Sequence, residues 1–201
     1  MSTVPEGHIS GATPPADRSG LRLKHLKTLE EIYGAEMEEV GKAQLKYLAR
    51  KPTPRMAPFT RKWMCKVHAE MFGKIWSWAG QFRRDTLSIG IQWHQVPMAV
   101  EELAGNLAQW HTNDWGRLKQ AVQLHYQAVH IHPFQNGNGR WSRLLANIWG
   151  MQHGLPIVRW PSKRIANQAS AERPEYIAAL KAADKGNFAP LTQLHQRFME
   201  P

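Results

Sequence analysis

Apolar residues recur at helical spacing in most of this chain, and that periodicity constrains the fold more than any other feature. The clearest example lies in residues 98–113, at Val100, Leu103, Leu107 and Trp110. Side chains at intervals of three and four residues share one face of an α-helix. Helices are therefore predicted over residues 21–49, 60–75, 98–113, 117–132, 140–151, 163–183 and 188–198. Residues 21–49 are expected to form either one helix or two, with Gly34 and Gly41 as the candidate break points.

One stretch lacks the helical pattern. Between Gly80 and Gly90 the chain carries residue types that favour extended backbone, among them Thr86, Leu87 and Ile89. This composition predicts a short β-hairpin, which would project from the helices as a flap. The expected fold class is therefore mostly α, with one small β element.

The chain is predicted to form one domain behind a flexible lead-in. Residues 1–20 are rich in Gly, Pro, Ser and Thr and lack periodicity. Residues 21–201 carry the helical pattern without a repeat or a linker, and the 42% hydrophobic content of the chain suffices for a core. Within this domain, residues 21–50 form the N-terminal helical part, and residues 117–152 hold two helices and the loop between them.

Neither membrane insertion nor a disulfide is expected. No apolar run reaches the roughly 18 residues that a membrane-spanning helix requires, and the first 20 residues lack the apolar core of a signal peptide. Cys65 is the only cysteine, which excludes an intrachain disulfide and a cysteine-based zinc cluster. These features predict a cytoplasmic protein.

The chain is basic, with 26 Lys and Arg against 16 Asp and Glu and a formal net charge of +10. Such an excess favours anionic partners, which include nucleotides, nucleic acids and acidic protein surfaces. The basic residues are spread along the whole chain, and neither zinc-finger spacing nor an RNA-binding aromatic signature is present. A solvated basic surface is therefore the favoured interpretation, and nucleic-acid binding is not expected.

The most informative stretch is residues 132–143, which read HPFQNGNGRWSR. Pro133 ends the preceding helix, so His132 is predicted to project from a helix end. The two glycines allow successive N–H groups to face one point, beside the positive end of a helix that starts near Arg140. These residues predict an anion cradle. Arg140 and Arg143, three positions apart, can both reach one anion, which favours a di- or triphosphate.

His132 supplies a candidate base beside this cradle. Imidazole has an unperturbed pKa of about 6.5, which suits removal of a hydroxyl proton at neutral pH. A base next to a polyphosphate site predicts transfer at phosphorus, in which a hydroxyl attacks a phosphate held by the loop. Phe134, apolar among polar neighbours, would anchor the loop in the core. Singly, a histidine at a helix end or a glycine turn is more often structural, and it is their combination that favours a site.

The segment resembles the signature of the Fic family, H-x-F-x-[DE]-G-N-[GK]-R-x-x-R. Every defined position matches except the acidic one, where this chain has Asn136. The resemblance extends through IWSWAGQFR and ERPEYIAALKAADKGNFAPL, so it covers residues 21–195. Within the family the chain is most similar to the small stand-alone members called mobile mystery protein B, which share the WAG, IG and WHQVP stretch. The resemblance implies a Fic-type helical domain with a short β-hairpin flap.

The resemblance also implies an activity and a set of site residues. Fic proteins typically transfer AMP from ATP to a hydroxyl side chain of a target protein, with Mg²⁺ between the phosphates. The implied base is His132. The implied nucleotide-binding residues are Phe134, Gly137, Asn138, Gly139, Arg140 and Arg143, with the two arginines on the β- and γ-phosphates. The flap residues implied to dock the target segment are Thr86, Leu87, Ser88, Ile89 and Gly90.

Asn136 is the departure from the signature, and it leaves the chemistry open. In the family the acidic residue at this position orients Mg²⁺, whereas an amide keeps one carbonyl oxygen and loses the charge. Asn136 is therefore the expected metal contact, with a weaker attraction for the ion. The alternatives are a slow transferase, phosphate transfer of the Doc-toxin kind, use of another nucleotide, removal of a modification, or a catalytically weak module in a toxin–antitoxin or regulatory pair.

An inhibitory contact is a further hypothesis. Many Fic proteins carry a helix of pattern [ST]-x-x-x-E-[GN], whose glutamate pairs with the second arginine of the motif. The segment TLEEI, residues 28–32, lacks both the spacing and the final Gly or Asn. Pairing of Glu31 with Arg143 is therefore weighed against an ordinary acid at a helix terminus, which is the favoured alternative.

The histidines near the motif could also be interpreted as metal ligands. His125 and His132 fall on one helix face, seven positions apart. No cysteine or neighbouring carboxylate completes a tetrahedral set, so a core or surface role is favoured for His125.

Overall fold

Helices account for the regular structure of the chain. The computed structural model describes residues 18–113, 115–166 and 169–200, so most of the predicted flexible segment, residues 1–17, lies outside the described residues. The elements are α1 (Leu29–Leu48), α2 (Arg61–Phe72), a short 3-10 helix (Trp93–Gln95), α3 (Val96–Thr112), α4 (Arg117–Ile131), α5 (Asn138–Gln152), α6 (Ser162–Ala166), α7 (Glu172–Asp184) and α8 (Ala189–Arg197). The mostly α fold class is thereby confirmed.

Two threonines define the starts of the first helices. The hydroxyl of Thr28 accepts the backbone N–H of Glu31 at 3.1 Å, and the Glu31 carboxylate accepts the backbone N–H of Thr28 at 2.8 Å, which makes a capping box. Thr60 accepts the backbone N–H of Trp63 in the same way, as predicted for the start of α2. Both helices therefore begin where the sequence supplies an acceptor for their first N–H groups.

α1 runs unbroken through Gly34 and Gly41, so of the two alternatives the structure has one helix at these glycines. A glycine costs about 1 kcal/mol inside a helix, which weakens the helix but does not end it. Tertiary packing outweighs that cost, because Ile32, Val40 and Tyr47 are all buried on one side of α1.

The predicted helix over residues 163–183 is divided into α6 and α7. Pro174 lies in the first turn of α7, where its missing N–H leaves no bond unmade. Farther inside a helix the same ring would clash with the carbonyl four residues earlier, so one continuous helix is excluded. The Arg173 guanidinium donates to the carbonyl of Ile165 at 2.9 Å and ties the two short helices together.

The helices enclose two clusters of buried apolar side chains. The larger lies among α1 to α5, and α5 is its centre, because residues 141–150 are all buried. The smaller lies between α4 and the C-terminal helices, with the members Val122, Ile165, Tyr176, Ala179, Leu191 and Leu194. α4 therefore packs against both clusters, and the loop that joins it to α5 is fixed from both sides.

The predicted β-hairpin is absent from the described residues. Residues 81–92 form an irregular loop, and β-pairing within residues 18–113, 115–166 and 169–200 is limited to two isolated bridges, Leu21 with Trp76 and Val158 with Met199. The loop carbonyls of Asp85 and Ile91 bond the Arg83 guanidinium instead of a facing strand. The charged side chain of Arg83 thus holds the two ends of this loop together in place of β-ladder hydrogen bonds.

None of the described helices combines the length and the apolar character that crossing a membrane would require.

Candidate active site

His132 ends α4 in a left-handed conformation, with φ 51° and ψ 59°. Its own N–H still bonds the carbonyl of Ala128 at 3.3 Å, and Pro133 prevents a further helical turn. A non-glycine residue in this region is strained and persists only when its surroundings fix it. The imidazole therefore leaves the helix end at a defined angle, as the sequence predicts.

One tautomer of His132 follows from the hydrogen bond that its ring makes to the backbone of α4. Nδ1 lies 3.2 Å from the carbonyl oxygen of Val129, which can only accept, so Nδ1 carries the proton and Nε2 keeps its lone pair. Burial and, to a smaller extent, the positive charge of Arg83 together lower the pKa of His132 to about 4. The imidazole is consequently neutral at pH 7, and Nε2 can accept a proton.

Arg83 fixes the backbone of His132. Its Nε donates to the His132 carbonyl at 2.7 Å, while its Nη1 and Nη2 donate to the carbonyls of Asp85 and Ile91. The side chain is buried, and each of these acceptors is a neutral carbonyl. Arg83 therefore joins loop 81–92 to the C-terminal end of α4. The sequence gives no signal for this link, since 49 residues separate the partners.

Only part of the predicted flap reaches the site. Ile89 and Gly90 line a cavity beside His132, whereas the other predicted flap residues, Thr86, Leu87 and Ser88, do not. Gly90 has φ +95°, and a Cβ at this position would stand 2.5 Å from Cβ of His132. Only glycine allows the loop to approach the imidazole this closely.

The anion cradle is formed by the first turn of α5, which starts two residues earlier than predicted. Gly137 precedes the helix with φ +78°, and the first intrahelical bond runs from the N–H of Trp141 to the Gly137 carbonyl at 2.9 Å. The N–H groups of Asn138, Gly139 and Arg140 come before that bond, so helix geometry leaves them without a partner four residues back. They point out of the positive end of α5, where an anion is stabilised.

The side chain of Asn138 holds the loop rather than facing the cradle. Its Oδ1 accepts the N–H of Phe134 at 2.9 Å and its Nδ2 donates to the Phe134 carbonyl at 2.8 Å. Phe134 is itself fully buried, with its ring edge against Trp141. The predicted anchoring by Phe134 is confirmed, but the ring does not line the cavity, so a contact between Phe134 and a nucleotide is not supported.

His68, on α2, is a site residue that the sequence analysis missed. Its Nδ1 accepts the N–H of Gly80 at 3.0 Å, so its Nε2 carries a proton and donates to the Asn136 carbonyl at 2.9 Å. The ring stacks on Phe134 at 3.7 Å between centroids. Burial lowers the pKa of His68 to about 3, which keeps it neutral. His68 thereby holds the motif loop in place, although 68 residues separate it from Asn136 in the chain.

Asn136 lines the cavity, as a metal contact would. Its Oδ1 already accepts the N–H of Gly137 at 2.6 Å, and an amide oxygen carries no net charge. Within the described ranges, no cluster of three or more His, Cys, Asp or Glu could hold a metal ion. The residues present therefore do not fit a metal held by the protein alone, which also removes the interpretation of the motif histidines as a metal set.

Arg140 pairs with an acid on α1 that the sequence does not connect with the motif. Its Nη1 lies 2.7 Å from Oε2 of Glu36 on α1, and Glu36 also accepts the indole N–H of Trp76 at 2.6 Å. The Arg140 guanidinium lies over the Phe72 ring, 4.7 Å from its centroid. Glu36 is buried, so this ion pair is shielded from water. A separation of 104 residues leaves no local pattern from which to predict it.

Glu31 does not make the predicted inhibitory contact. Its carboxylate accepts the backbone N–H groups of Lys27 and Thr28 at 2.6 and 2.8 Å, on the exposed N-terminus of α1. Those hydrogen bonds lower the pKa of Glu31 below its ordinary value. The favoured alternative, an ordinary acid at a helix terminus, is confirmed, and the acid that reaches a motif arginine is Glu36.

The cavity has a volume of about 630 Å³. Its lining includes His132, the anion cradle and Arg143, together with residues of α1, α6 and α7. Among these are the apolar side chains of Leu29, Tyr33, Ile177 and Leu180. An apolar chamber with a few convergent polar groups is typical of a site for a small organic ligand, and the volume is within the usual range.

Comparison with known proteins gives this site a family. Residues 58–149 match the model of the Fic/DOC family. These residues are a Fic domain. The match includes α2, loop 81–92 and the whole motif, so it covers the elements that position His132 and the first turn of α5.

Curated relatives of the Fic domain are much longer proteins. The protein adenylyltransferase Fic of Drosophila ananassae is 30% identical over 175 residues, which cover 85% of this chain and 32% of that protein. The protein of the same name from Drosophila virilis is 31% identical over 139 residues, which cover 67% of this chain and 27% of that protein. The chain therefore spans about a third or less of the length of these relatives.

Solved structures share the fold of this Fic domain. The BepC protein of Bartonella tribocorum, crystallised with bound AMPPNP, aligns with a TM-score of 0.66 at 18% identity and covers 89% of this chain and 91% of its own. Fic-1 of C. elegans aligns with a TM-score of 0.66 at 23% identity, and the alignment covers 90% of this chain and 52% of the Fic-1 chain. At these identities the likeness establishes the Fic fold alone.

Proposed function

We propose that this Fic domain is a protein adenylyltransferase, which moves AMP from ATP to a hydroxyl side chain of a target protein. One observation carries the proposal: the proton-accepting Nε2 of His132, the N–H groups that begin α5, and the Arg143 side chain belong to the wall of a single cavity. A base, an anion cradle and a cation are the groups that transfer at phosphorus requires. The names of the Drosophila relatives and the nucleotide bound to BepC support ATP as the donor.

In the proposed reaction, a Ser, Thr or Tyr hydroxyl of the target attacks the α-phosphorus of ATP. His132 Nε2 accepts the hydroxyl proton as the new oxygen–phosphorus bond forms. The bond between the α-phosphorus and the bridging oxygen breaks, and pyrophosphate leaves with its charge facing Arg143 and the first turn of α5. AMP remains on the target as a phosphodiester.

The residues that line the cavity also predict an orientation for the nucleotide. Phosphates belong at the cradle, so the base lies toward the apolar walls that include Leu29 on α1 and Ile177 and Leu180 on α7. The target segment would enter along Ile89 and Gly90, the loop residues that face the cavity. A cytoplasmic location, where ATP and protein hydroxyls occur together, belongs to the same proposal.

Mg²⁺ would bind together with the triphosphate rather than to the protein alone. Mg²⁺ prefers carboxylates and phosphates as ligands, and Asn136 offers one neutral oxygen that already accepts an N–H. When bound, the ion would offset phosphate charge. No step of the transfer is assigned to it.

Asn136 favours a second candidate, a nucleotide-binding module with weak or no transfer, acting in a toxin–antitoxin or other regulatory pair. Without a carboxylate at this position, the proposed contact to the metal loses its charge. Such a module would bind ATP in the same cavity and leave hydroxyl targets unmodified.

Labelled ATP distinguishes these functions. The protein is incubated with lysate and Mg²⁺, with the label on the α- or the γ-phosphate, and the proteins are separated on a denaturing gel. Label from the α position alone supports adenylyl transfer, label from the γ position alone replaces it with phosphate transfer, and ATP binding without labelling leaves the binding module. His132→Ala should abolish labelling and the exposed His25→Ala should not. Equal labelling by His132→Ala would remove His132 from its role.

A further inference from the structure

The two arginines of the motif are held in different ways. Arg140 is paired with the Glu36 carboxylate at 2.7 Å, whereas Arg143 has no carboxylate partner in the part of the chain that the structure describes. Arg143 is nevertheless only 6% exposed. Its guanidinium lies over the ring of Tyr176 on α7, 5.5 Å from the centroid. An aromatic face attracts a cation without cancelling its charge, so Arg143 keeps its charge for a ligand.

Tyr176 is itself anchored by two buried histidines from two other helices. Its hydroxyl lies 2.8 Å from Nε2 of His125 on α4, and Nδ1 of His125 lies 2.9 Å from Nε2 of His195 on α8. Both imidazoles are almost completely buried, at 0% and 1% exposure. The three side chains form a continuous hydrogen-bonded row that runs from α8 through α4 to the residue under Arg143.

The direction of hydrogen-bond donation along this row follows from His195, the residue at its far end. Nδ1 of His195 is buried without a hydrogen-bond partner among the described residues. An unpaired buried N–H is rarer in proteins than an unpaired acceptor, so Nδ1 holds the lone pair and Nε2–H donates to His125. His125 Nε2–H then donates to the Tyr176 oxygen. Tyr176 keeps its own proton and is fixed as a neutral phenol.

The row carries no charge at neutral pH. Burial lowers the pKa of His195 to about 3 and that of His125 well below its usual value, and the nearby charge of Arg143 acts on His125 in the same direction. Burial raises the pKa of Tyr176. A carboxylate in this place would neutralise Arg143, whereas neutral groups position it and leave its charge unpaired.

We propose that His195, His125 and Tyr176 are positioning residues, which hold Arg143 ready for the terminal phosphates of a bound nucleoside triphosphate. The proposal rests on the proposed function, because it assumes that the phosphates lie at the cradle. The row acts through Arg143 alone. Its loss should therefore weaken binding of ATP, which has β- and γ-phosphates, and spare binding of AMP, which has neither.

Calorimetric titration of the purified protein with ATP and with AMP tests this selectivity. Arg143→Ala should weaken ATP binding by about tenfold or more, equivalent to 1.4 kcal/mol or more, and change AMP binding less than about twofold. Tyr176→Leu, which removes the ring, should approach that effect. Tyr176→Phe, His125→Phe and His195→Phe disturb only the hydrogen bonds and should give about three- to tenfold weaker ATP binding.

A matched control and a double variant separate positioning from folding. Tyr47 is also buried, with its hydroxyl bonded to Glu70 at 2.9 Å, and it lies outside the cavity, so Tyr47→Phe should leave the ATP-to-AMP ratio unchanged. The double variant Tyr176→Leu with Arg143→Ala should bind ATP no more weakly than Arg143→Ala alone. AMP binding reports in every variant whether the cavity has folded.

The outcomes distinguish the two proposals. If Arg143→Ala binds ATP and AMP as the parent does, the phosphates do not lie on Arg143, and both the proposed function and the positioning row are overturned. If Arg143→Ala loses ATP selectivity while Tyr176→Leu and the histidine variants keep it, the row is overturned and the function stands. Equal loss of ATP and AMP binding in the Tyr176 variants would mean a structural role and would also overturn the row.

Discussion

Nε of Arg83 donates to the carbonyl oxygen of His132 at 2.7 Å, and the same guanidinium bonds two carbonyls of the loop that covers the imidazole. The backbone of the proposed base and the loop that would meet the target are therefore held by one buried side chain. No cradle residue is involved, which predicts that transfer and nucleotide binding can be separated by mutation.

Arg83→Met should lower the turnover number for adenylyl transfer by at least about tenfold and leave the dissociation constant for ATP within about twofold, because the variant frees His132 and loop 81–92 without touching the cradle. Arg83→Lys keeps a charge but lacks the geometry to bond three carbonyls, so it should recover only part of the rate. Steady-state kinetics and calorimetry measure the two quantities. The exposed neighbour Arg84 provides the control, Arg84→Met. A parallel loss of ATP binding would contradict the separation.

Glu36→Gln should tighten ATP binding by about three- to tenfold, because it removes a negative charge from the cavity wall and releases Arg140 for phosphate. An amide can still accept the N–H of Trp76, so the packing of α1 changes little. The cost should appear as lower thermal stability of the nucleotide-free protein, since Arg140 loses a shielded partner. Glu38→Gln, on the exposed side of α1 beside Lys42, is the matched control. Unchanged ATP affinity would show that Glu36 does not compete with the nucleotide.

Asn136→Asp should increase the rate of labelling and lower the Mg²⁺ concentration needed for half-maximal rate, because a carboxylate binds a hard dication more strongly than an amide does. Labelling is measured across a Mg²⁺ titration at saturating ATP. Asn113→Asp adds the same charge at an exposed position at the end of α3 and controls for net charge. An Asn136→Asp titration that overlays the parent curve would place the metal contact elsewhere.

The fold should lose stability as the pH falls from 6.5 toward 3. His68 and His195 have pKa values lowered by burial to about 3, so the unfolded chain binds protons in this window that the folded protein cannot. Stability is then complete above the unfolded pKa of about 6.5, and each such histidine removes about 1.4 kcal/mol per pH unit below it. The loss is measured as the change in the urea concentration at half-unfolding between pH 7.5 and pH 5.5. Unfolding is monitored by tryptophan fluorescence. His195→Phe should reduce the difference between the two midpoints and the exposed His25→Asn should not; a parent midpoint independent of pH would be incompatible with neutral buried imidazoles.

The sequence predicts those parts of the molecule that depend on near neighbours. Thr60 caps α2 and Pro133 ends α4 because capping and proline geometry act within four residues. The anion cradle at Gly137 also lies within one short segment, so its residues reveal it directly. The prediction of a β-hairpin was wrong for a related reason. Residues with a high β-propensity favour extended backbone, but they do not supply a partner strand.

The contacts that tune the site escape sequence reasoning because they join distant elements. Glu36 with Arg140 and His68 with Asn136 depend on how α1 and α2 pack against α5, and hydrophobic periodicity carries no information about which polar groups will meet. The Glu31 hypothesis failed on this point: its position on α1 was right for a helix start, and the acid that reaches the motif lies five residues later.

The burial of α5 on every side has a mechanical consequence. A rod enclosed by neighbours at native packing density cannot slide or rotate without opening the whole core. Amide hydrogens in its middle turns should therefore exchange with solvent only on global unfolding. The end that is proposed to receive the phosphates is in this sense a fixed reference point, and any movement that admits a substrate must come from the parts around it.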